Sequence, residues 1–171
     1  MKSMKDIFRS YAVLDANGRH TNGTDKESNH HYGDAYEVLF PDRSNVKRML
    51  EVGNADGSSL LAWREIFPEA IVVGMDIHPL SVTAPDRLKF HLGDQRRKED
   101  CEAAGASGPF DFICEDATHQ LADTLVTLLY LWPFVKPGGM YIVEEWANIG
   151  ALRSNLRELF RVNQWENEGA E

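Results

Sequence analysis

Acidic or amide side chains follow five short apolar segments of this sequence. They are Glu51, Asp76, Asp94 with Gln95, Glu115 with Asp116, and Glu144 with Glu145. A single acid in such a place often caps the next helix, but five in series predict a shared site. Carboxylates gathered at one place accept hydrogen bonds from hydroxyl groups and bind cations.

The last two of these segments predict a cation site. Asp116, Glu144 and Glu145 would lie side by side if their strands are neighbours, and carboxylates this close take up protons unless a cation intervenes. Oxygen ligands without sulfur favour Mg²⁺, with Ca²⁺ or Mn²⁺ as alternatives. Both glutamates reach one ion only if the strand has ended before them. His119, three residues after Asp116, is a candidate general base, and its alternative role is a surface or capping residue.

Residues 51–59, with the sequence Glu-Val-Gly-Asn-Ala-Asp-Gly-Ser-Ser, predict a ligand-binding turn. Gly53 and Gly57 permit a tight turn and a close backbone approach, and the following helix offers free N–H groups. The spacing G-x-x-x-G differs from the G-x-G-x-x-G of dinucleotide sites, and Asp56 would repel a pyrophosphate. A nicotinamide-dependent oxidoreductase is therefore disfavoured, and a cofactor with a carboxylate and an amine but no phosphate fits better.

Two later strand ends predict contacts with a nucleoside. Asp76 follows the glycine turn at the distance expected of an acid that binds ribose hydroxyls. Asp94 or Gln95 could then bond an adenine or a ribose.

Short apolar runs alternate with helical stretches and position these residues. Strands are predicted at 46–53, 71–76, 88–92, 110–114 and 140–143, and helices at 58–67, 118–132 and 151–162. The 118–132 helix would pack through one face, formed by Leu121, Leu125, Leu128, Leu129 and Trp132. A turn at 136–139 would precede the last strand. Strands separated by helices predict an α/β, Rossmann-like, doubly wound and mostly parallel sheet, with the order 3-2-1-4-5.

The first 45 residues differ from the rest in composition. They are polar and rich in Asn, Asp, Gly and His, with helical fragments near 6–14 and 31–40. We predict an N-terminal appendage at 1–45, a lid or the substrate side of the site, followed by a cofactor-binding domain at 46–171. A poorly ordered tail is the alternative for 1–45.

The amino-acid composition disfavours nucleic-acid-binding, zinc-binding and membrane proteins. The 171 residues suffice for one core, and 27 acidic against 18 basic residues give a net charge of −9, which disfavours a nucleic-acid partner. Cys101 and Cys114 form no CxxC or Cys–His cluster, so no zinc site is predicted. No signal peptide and no apolar stretch of membrane-spanning length is evident. We therefore expect a soluble cytoplasmic protein with no membrane partner.

An ordered set of motifs resembles those of the metal-dependent sugar O-methyltransferases of macrolide biosynthesis, and cephalosporin-hydroxylase-like proteins are similar. It covers roughly residues 24–146 and includes Thr24-Asp25-Lys26, Leu50-Glu51-Val52-Gly53, Gly74-Met75-Asp76-Ile77, Gly93-Asp94-Gln95, Glu115-Asp116-Ala117-Thr118-His119 and Pro137-Gly138-Gly139. The ordered set is typical of class I S-adenosylmethionine-dependent methyltransferases.

This resemblance implies two cofactors, S-adenosylmethionine and Mg²⁺. The Gly53 loop would hold the amino-acid part of the first, Asp76 its ribose, and Asp94 and Gln95 its adenosine. The other predicted cofactor contacts are Glu51, Asn54, Gly57, Ser59, Ile77 and Glu115. The predicted metal ligands are Asp116, Glu144 and Glu145, and the catalytic residues would be Asp116 and His119, with His119 as the base.

Three departures from the family pattern matter for function. Residues 115–119 are Glu-Asp-Ala-Thr-His where the family usually has Asp-Asp-Gly-Ser-His. Glu144-Glu145 replaces the usual Glu-Asp. Only 26 residues follow Glu145. The sheet should therefore lack the last two strands of the full fold, and the 151–162 helix or a second subunit of a homo-oligomer should cover its edge. We expect an O-methyltransferase acting on a small hydroxylated molecule, such as a natural-product sugar. The alternative is a truncated methyltransferase-like protein that binds the cofactor or a partner without catalysis.

Overall fold

The computed structural model describes residues 1–83 and 86–144. In chain order the helices and strands are α1 (Met4–Ser10), β1 (Ala12–Leu14), β2 (His20–Gly23), α2 (Gly33–Leu39), β3 (Arg48–Val52), α3 (Ser58–Ile66), β4 (Ile71–Asp76), β5 (Leu88–Leu92), α4 (Lys98–Gly105), β6 (Phe110–Glu115), α5 (Leu121–Leu131) and β7 (Val135–Val143). Short 3₁₀ helices lie at Arg43–Asn45 and Trp132–Phe134.

The central sheet has the order β5-β4-β3-β6-β7, and all its neighbouring strands are parallel. Counted from β3 as the first strand, this is the order 3-2-1-4-5, so the predicted Rossmann-like α/β fold is confirmed. The strand order reverses between β3 and β6, where the loops at the carboxyl ends of the two strands separate and leave room for a ligand.

Helices cover both faces of the sheet, and each face has its own hydrophobic core. One core contains Trp63 of α3 and Phe112 of β6, and the other contains Cys101 of α4 and Leu131 of α5. Phe8 of α1 joins the first core, where its ring meets Trp63 edge-on with the ring centroids 4.9 Å apart. Residues of the 1–45 segment therefore pack against the sheet itself.

The last described strand is longer than the sequence predicted. β7 begins at Val135 and not at Met140, so the segment 136–139, predicted as a turn before the strand, lies inside it as an irregularity in its pairing with β6. Val135 pairs with Phe110, and the Lys136 ammonium donates a hydrogen bond to Asp111 Oδ1 at 2.7 Å. These contacts hold the chain beside β6 although Gly138 has a φ of +80°.

Helix α5 buries a face that overlaps the predicted one only in part. Thr124, Thr127 and Leu131 are buried, whereas Leu129 and Trp132 are 63% and 52% exposed. The two threonine hydroxyls bond to buried polar groups under the sheet, as described below, and this requirement orients the helix. The predicted face is therefore wrong at Leu129 and Trp132, whereas Leu121, Leu125 and Leu128 are half-buried.

The predicted N-terminal helix at 6–14 is shorter in the structure. α1 ends at Ser10, and residues 12–14 form β1, which pairs antiparallel with β2. The predicted 151–162 helix and Glu145 lie outside the described residues. Within residues 1–83 and 86–144, every helix is too short or too polar to span a lipid bilayer.

Candidate active site

A cavity of about 540 Å³ opens at the carboxyl ends of β3, β4, β5 and β6. Ligands of doubly wound sheets bind at this position. The predicted site residues that line it are Gly53, Asn54, Ser59, Asp76, Ile77, Asp94, Gln95, Asp116 and His119. Those that do not line it are Glu51, Gly57, Glu115 and Glu144, and Glu145 lies outside the described residues. The cavity thus gathers most of the residues that the sequence singled out.

The loop after β3 contacts the loop after β6 through the backbone. Gly53 has a φ of +86°, and a Cβ added there would lie 2.2 Å from the carbonyl oxygen of Asp116. The Asp116 N–H donates to the Val52 carbonyl at 2.8 Å. Glycine is required because a side chain would be strained at this φ and would have no space.

Asp76 holds the glycine loop from the end of β4. One carboxylate oxygen accepts hydrogen bonds from the backbone N–H groups of Asn54 at 2.7 Å and Ala55 at 3.0 Å. The other oxygen accepts from the His78 N–H at 2.8 Å. Asp76 therefore has a structural role in the loop. It also lines the cavity, and its contact with a ribose stays a prediction.

Glu51 lies beneath the glycine loop and is fully buried. Its carboxylate accepts hydrogen bonds from Asn54 Nδ2 at 3.0 Å, Ser59 Oγ at 2.5 Å and Trp63 Nε1 at 2.8 Å. The side chain therefore anchors the loop and the start of α3 from the core side.

Gln95 and Glu115 form a second buried network under the cavity. Gln95 Nε2 donates to Glu115 Oε1 at 3.0 Å and to Thr127 Oγ1 at 3.0 Å. Thr124 Oγ1 donates to the other oxygen of Glu115 at 2.8 Å. Burial raises the pKa of Glu115 in spite of the hydrogen bonds from Thr124 and Gln95. Helix α5 thus supports the cavity floor through its threonines.

Asp94 stands at the rim after β5 and pairs with Arg96. The hydrogen bond from the Arg96 side chain lowers the pKa of Asp94 to about 2. The carboxylate is therefore ionised at neutral pH and adds negative charge to the cavity.

Asp116 and His119 lie in the loop between β6 and α5, on the cavity wall. His119 has a φ of +56°, an uncommon conformation for a residue with a side chain. Because α5 starts only at Leu121, the imidazole belongs to the loop. Burial would raise the pKa of Asp116, but the Lys26 ammonium and further hydrogen bonds outweigh it, and the pKa is lowered.

Lys26 is the functional residue to which the sequence analysis gave no role. It is only 1% exposed, and its ammonium lies 2.7 Å from Asp116 Oδ2 and 3.0 Å from Glu51 Oε1 and also contacts Glu144 Oε2. Burial lowers the pKa of Lys26, but the carboxylates of Glu144, Glu51 and Asp116 raise it well above its ordinary value. A buried cation from the N-terminal segment thus contacts the carboxyl groups of Glu51, Asp116 and Glu144.

Glu144 follows β7 and is held on both oxygens. One oxygen contacts Lys26, and the other accepts a hydrogen bond from the Tyr36 hydroxyl. Burial, together with the neighbouring Asp116, raises the pKa of Glu144 to about 8.

The carboxylates of Asp116 and Glu144 converge on one point, and the Lys26 ammonium occupies it. Oxygen donors that converge on a cation are what Mg²⁺ requires, but a lysine ammonium already lies between these two residues. The role of Asp116 and Glu144 as metal ligands therefore stays a prediction. Within residues 1–83 and 86–144, no three acidic, His or Cys side chains are arranged to hold a metal ion. The third predicted ligand, Glu145, lies outside that part of the chain.

Sequence comparison finds relatives among O-methyltransferases, although no protein-family model matches the chain. It is 33% identical over 132 residues to the 8-demethyl-8-alpha-L-rhamnosyl tetracenomycin-C 2'-O-methyltransferase of Streptomyces olivaceus, covering 72% of this chain and 35% of that protein. It is 32% identical over 125 residues to the mycinamicin VI 2''-O-methyltransferase of Micromonospora griseorubida, covering 68% and 31%. The chain thus spans about a third of the length of these curated relatives.

One relative with lower sequence identity is named for a different class of substrate, ribosomal RNA. The chain is 28% identical over 132 residues to the ribosomal RNA large subunit methyltransferase E of Rhizorhabdus wittichii, covering 68% of this chain and 56% of that protein.

Solved structures agree with the sequence relatives. The MycE methyltransferase of the mycinamycin biosynthetic pathway, in complex with Mg, SAH and mycinamycin VI, superposes with a TM-score of 0.74 at 26% identity, covering 88% of this chain and 39% of that one. A putative caffeoyl-CoA O-methyltransferase from Staphylococcus aureus, at 18% identity and a TM-score of 0.53, shares the fold. The predicted resemblance is confirmed: in fold and in sequence the chain is similar to class I S-adenosylmethionine-dependent methyltransferases. Relatives at 30% identity or more include O-methyltransferases named for rhamnosyl tetracenomycin-C, mycinamicin VI, demethylmacrocin and L-olivosyl-oleandolide.

Proposed function

We propose that the chain binds S-adenosylmethionine and takes part in transferring its methyl group to a hydroxyl oxygen of a sugar on a natural product. One observation carries the proposal: a single cavity is lined by the Gly53 loop and Asp76 and also by Asp116 and His119. The names of the sugar O-methyltransferase relatives support the acceptor class. In those relatives the methyltransferase activity is that of the whole protein, and this chain matches about a third of their length.

The cavity suits a cationic cofactor. S-Adenosylmethionine, when bound, supplies a methyl group activated by a positively charged sulfur. The Gly53 loop would hold its amino-acid part, Asp76 the ribose, and Gln95 the adenine side. Five aspartates line the cavity, against Arg96 and the adjoining Lys26, and this excess of negative charge attracts the sulfonium group.

His119 is the proposed general base. Bound S-adenosylmethionine would supply the methyl group to the acceptor oxygen, and the electron pair of its carbon–sulfur bond would stay on sulfur. An imidazole nitrogen of His119 takes the hydroxyl proton, so a neutral alcohol reacts near pH 7. Asp116, Glu144 and Glu145 would hold Mg²⁺, which lowers the pKa of a bound hydroxyl.

The N-terminal segment supplies the acceptor side of the proposed site. Gly23, Thr24 and Asp25 line the same cavity as His119. The Asp25 carboxylate lies 3.2 Å from His30 Nε2, which orients it. A carboxylate and a hydroxyl at this wall suit an acceptor that carries several hydroxyl groups.

Calorimetric titration of the chain with S-adenosylmethionine tests the cofactor half of the proposal. We expect binding, weakened at least 10-fold by Asp76→Asn and unchanged by Asp34→Asn, which alters an exposed carboxylate of α2.

Methyl transfer from labelled S-adenosylmethionine to mycinamicin VI or to rhamnosyl tetracenomycin tests the second half of the proposal. Binding without transfer to either acceptor would favour the cofactor-binding alternative, and no binding would contradict both.

A further inference from the structure

The cavity wall that the N-terminal segment supplies carries a carboxylate, that of Asp25. The residue lines the cavity, and its side chain is 36% exposed. Lys26, the next residue, places its ammonium 2.7 Å from Asp116 Oδ2, and Asp116 is the first residue of the loop that carries His119. The chain therefore brings Asp25 to the side of the cavity on which the proposed base lies.

His30 holds one oxygen of the Asp25 carboxylate. Its Nε2 lies 3.2 Å from Asp25 Oδ2 and donates the hydrogen bond, because a carboxylate can only accept. The imidazole stacks on the ring of Tyr32, with the centroids 5.3 Å apart and the planes at 20°. The Asn29 N–H donates to the Asp25 carbonyl at 3.0 Å, and the Tyr32 N–H donates to the Lys26 carbonyl at 2.8 Å. The orientation of Asp25 is therefore fixed by the turn that carries it.

Two polar groups of this wall remain for a ligand. His30 contacts Oδ2 of Asp25, so Oδ1 can accept a hydrogen bond from a group in the cavity. Thr24 also lines the cavity and is only 5% exposed, and within residues 1–83 and 86–144 its hydroxyl has no hydrogen-bond partner. A buried hydroxyl without a partner is unfavourable, and a ligand that carries hydroxyl groups would supply the partner.

We propose that Asp25 is a specificity-determining residue that accepts a hydrogen bond from the acceptor hydroxyl next to the one that is methylated, and that His30 is its positioning residue. The inference rests on the proposed function and deepens it. It restricts the acceptor to sugars that carry two neighbouring hydroxyl groups.

The positions of the polar groups favour the acceptor over the cofactor as the partner of Asp25. The groups proposed to hold the cofactor come from the loops after β3, β4 and β5, whereas Asp25 comes from the segment joined to the His119 loop through Lys26. A hydroxyl that reacts must lie within hydrogen-bond reach of the base, so its neighbour on the sugar ring lies close to the same wall. A site built to hydrogen-bond a hydroxyl rejects an analogue that lacks it, because the carboxylate then loses its partner.

Calorimetric titration with rhamnosyl tetracenomycin, at saturating S-adenosylhomocysteine, tests the contact without a chemical step. Asp25→Ala should weaken binding of this acceptor at least 10-fold, since it removes a hydrogen bond to a charged group. Its affinity for S-adenosylmethionine should change by less than about 2-fold. Asp34→Ala is the matched control, because it removes an exposed carboxylate of the same segment, and it should change neither affinity.

A double-mutant comparison tests the positioning role of His30. His30→Ala should weaken acceptor binding about 3- to 10-fold in the wild-type background and not at all in the Asp25→Ala background, because no carboxylate is then left to orient. A merely structural effect of His30→Ala would weaken binding equally in both backgrounds, and that result would overturn the positioning role.

Derivatives of rhamnosyl tetracenomycin that each lack one sugar hydroxyl identify the partner of Asp25. One of them should bind the wild type and Asp25→Ala equally. The proposal is overturned if every derivative still binds Asp25→Ala more weakly, if Asp25→Ala binds the full acceptor as tightly as the wild type, or if it loses affinity for the cofactor instead. A wild-type chain that binds S-adenosylmethionine but not this acceptor would also overturn it. Failure of the proposed function is distinct, since it appears as absence of cofactor binding.

Discussion

At the scale of single residues, the site side chains divide into two groups. Asp116 and His119 face the cavity, whereas Glu51 and Glu115 lie beneath it and hold the loops in place. The first group should affect the chemistry, and the second should affect stability.

Replacing the proposed base should slow methyl transfer without preventing cofactor binding. His119→Asn is expected to lower kcat by about 10²–10⁴-fold, with less than a few-fold change in the affinity for S-adenosylmethionine. Asparagine tolerates the positive φ at this position. His31→Asn is the matched control, because His31 has a φ of +57°, is exposed and does not line the cavity. Steady-state kinetics and calorimetry check both variants, and full activity of His119→Asn would refute the assigned base.

Glu144 should make folding stability depend on pH. Burial raises its pKa from 4.5 to about 8, so between these values the folded chain keeps a proton that the unfolded chain has released. Stability from this group therefore falls as the pH rises from about 4.5 to about 8. Glu144→Gln, which resembles the protonated form, should gain stability over the wild type as the pH rises from 5 to 8.

Urea unfolding of both proteins at pH 5 and pH 8 measures this difference. Glu99→Gln, at an exposed position of α4, should show none of it. A Glu144→Gln difference that stays constant with pH would contradict the argument.

At the scale of the elements, the strands and their polar ends could be predicted because both are local features. An apolar run such as 71–76 predicts a strand by itself. The polar residue at the carboxyl end of that strand lies at the ligand-binding edge of any doubly wound sheet. The role of Lys26 could not be predicted this way. Its partners lie far along the chain, and a lysine in a polar segment is normally exposed. The one available signal was electrostatic: three predicted carboxylates at one point need a cation, and a lysine can supply it.

The buried face of α5 was predicted only in part, for a related reason. Leucine spacing indicates the apolar face of an isolated helix, but Thr124 and Thr127 are needed by Glu115 and Gln95. A buried carboxylate without partners costs more than exposing Leu129. The hydrogen bonds to Glu115 and Gln95 therefore determine the orientation of the helix about its axis.

The contact between the two cavity loops should make Gly53 intolerant of any side chain. Gly53→Ala is expected to cost about 3 kcal/mol or more, since it combines strain at positive φ with a clash against the Asp116 carbonyl. Gly138→Ala is the matched control: its φ is +80°, but nothing lies within 4 Å of the added Cβ. It should cost only about 1–2 kcal/mol. Denaturant unfolding measures both, and equal costs would show that the clash is relieved without strain.

At the scale of the whole molecule, the N-terminal segment is part of the folded core. Phe8 is fully buried and Tyr36 nearly so, and the two share one aromatic cluster with Trp63. The predicted boundary at residue 45 and the predicted homo-oligomer stay predictions. So does the absence of a nucleic-acid partner, which rests on the net charge of −9.

Truncating Phe8 should destabilise the whole domain and not only α1. Phe8→Ala is expected to cost about 3–5 kcal/mol and to lower the melting temperature in one cooperative transition. Val38→Ala, at a position 80% exposed, should change stability by less than about 0.5 kcal/mol. Circular dichroism and tryptophan fluorescence should report the same transition. A separate early loss of α1, with the sheet unchanged, would show that the segment folds independently.

The backbone contact between Gly53 and Asp116 also limits how this protein can be redesigned. A graft that imports the β6–α5 loop from a homologous enzyme, in order to change the acceptor, would shift the Asp116 carbonyl against the β3–α3 loop. The loop proposed to hold the methyl donor would then be displaced together with the loop that carries the proposed base, His119. Chimeras should therefore exchange the two loops as a single module, even though more than sixty positions separate them along the chain.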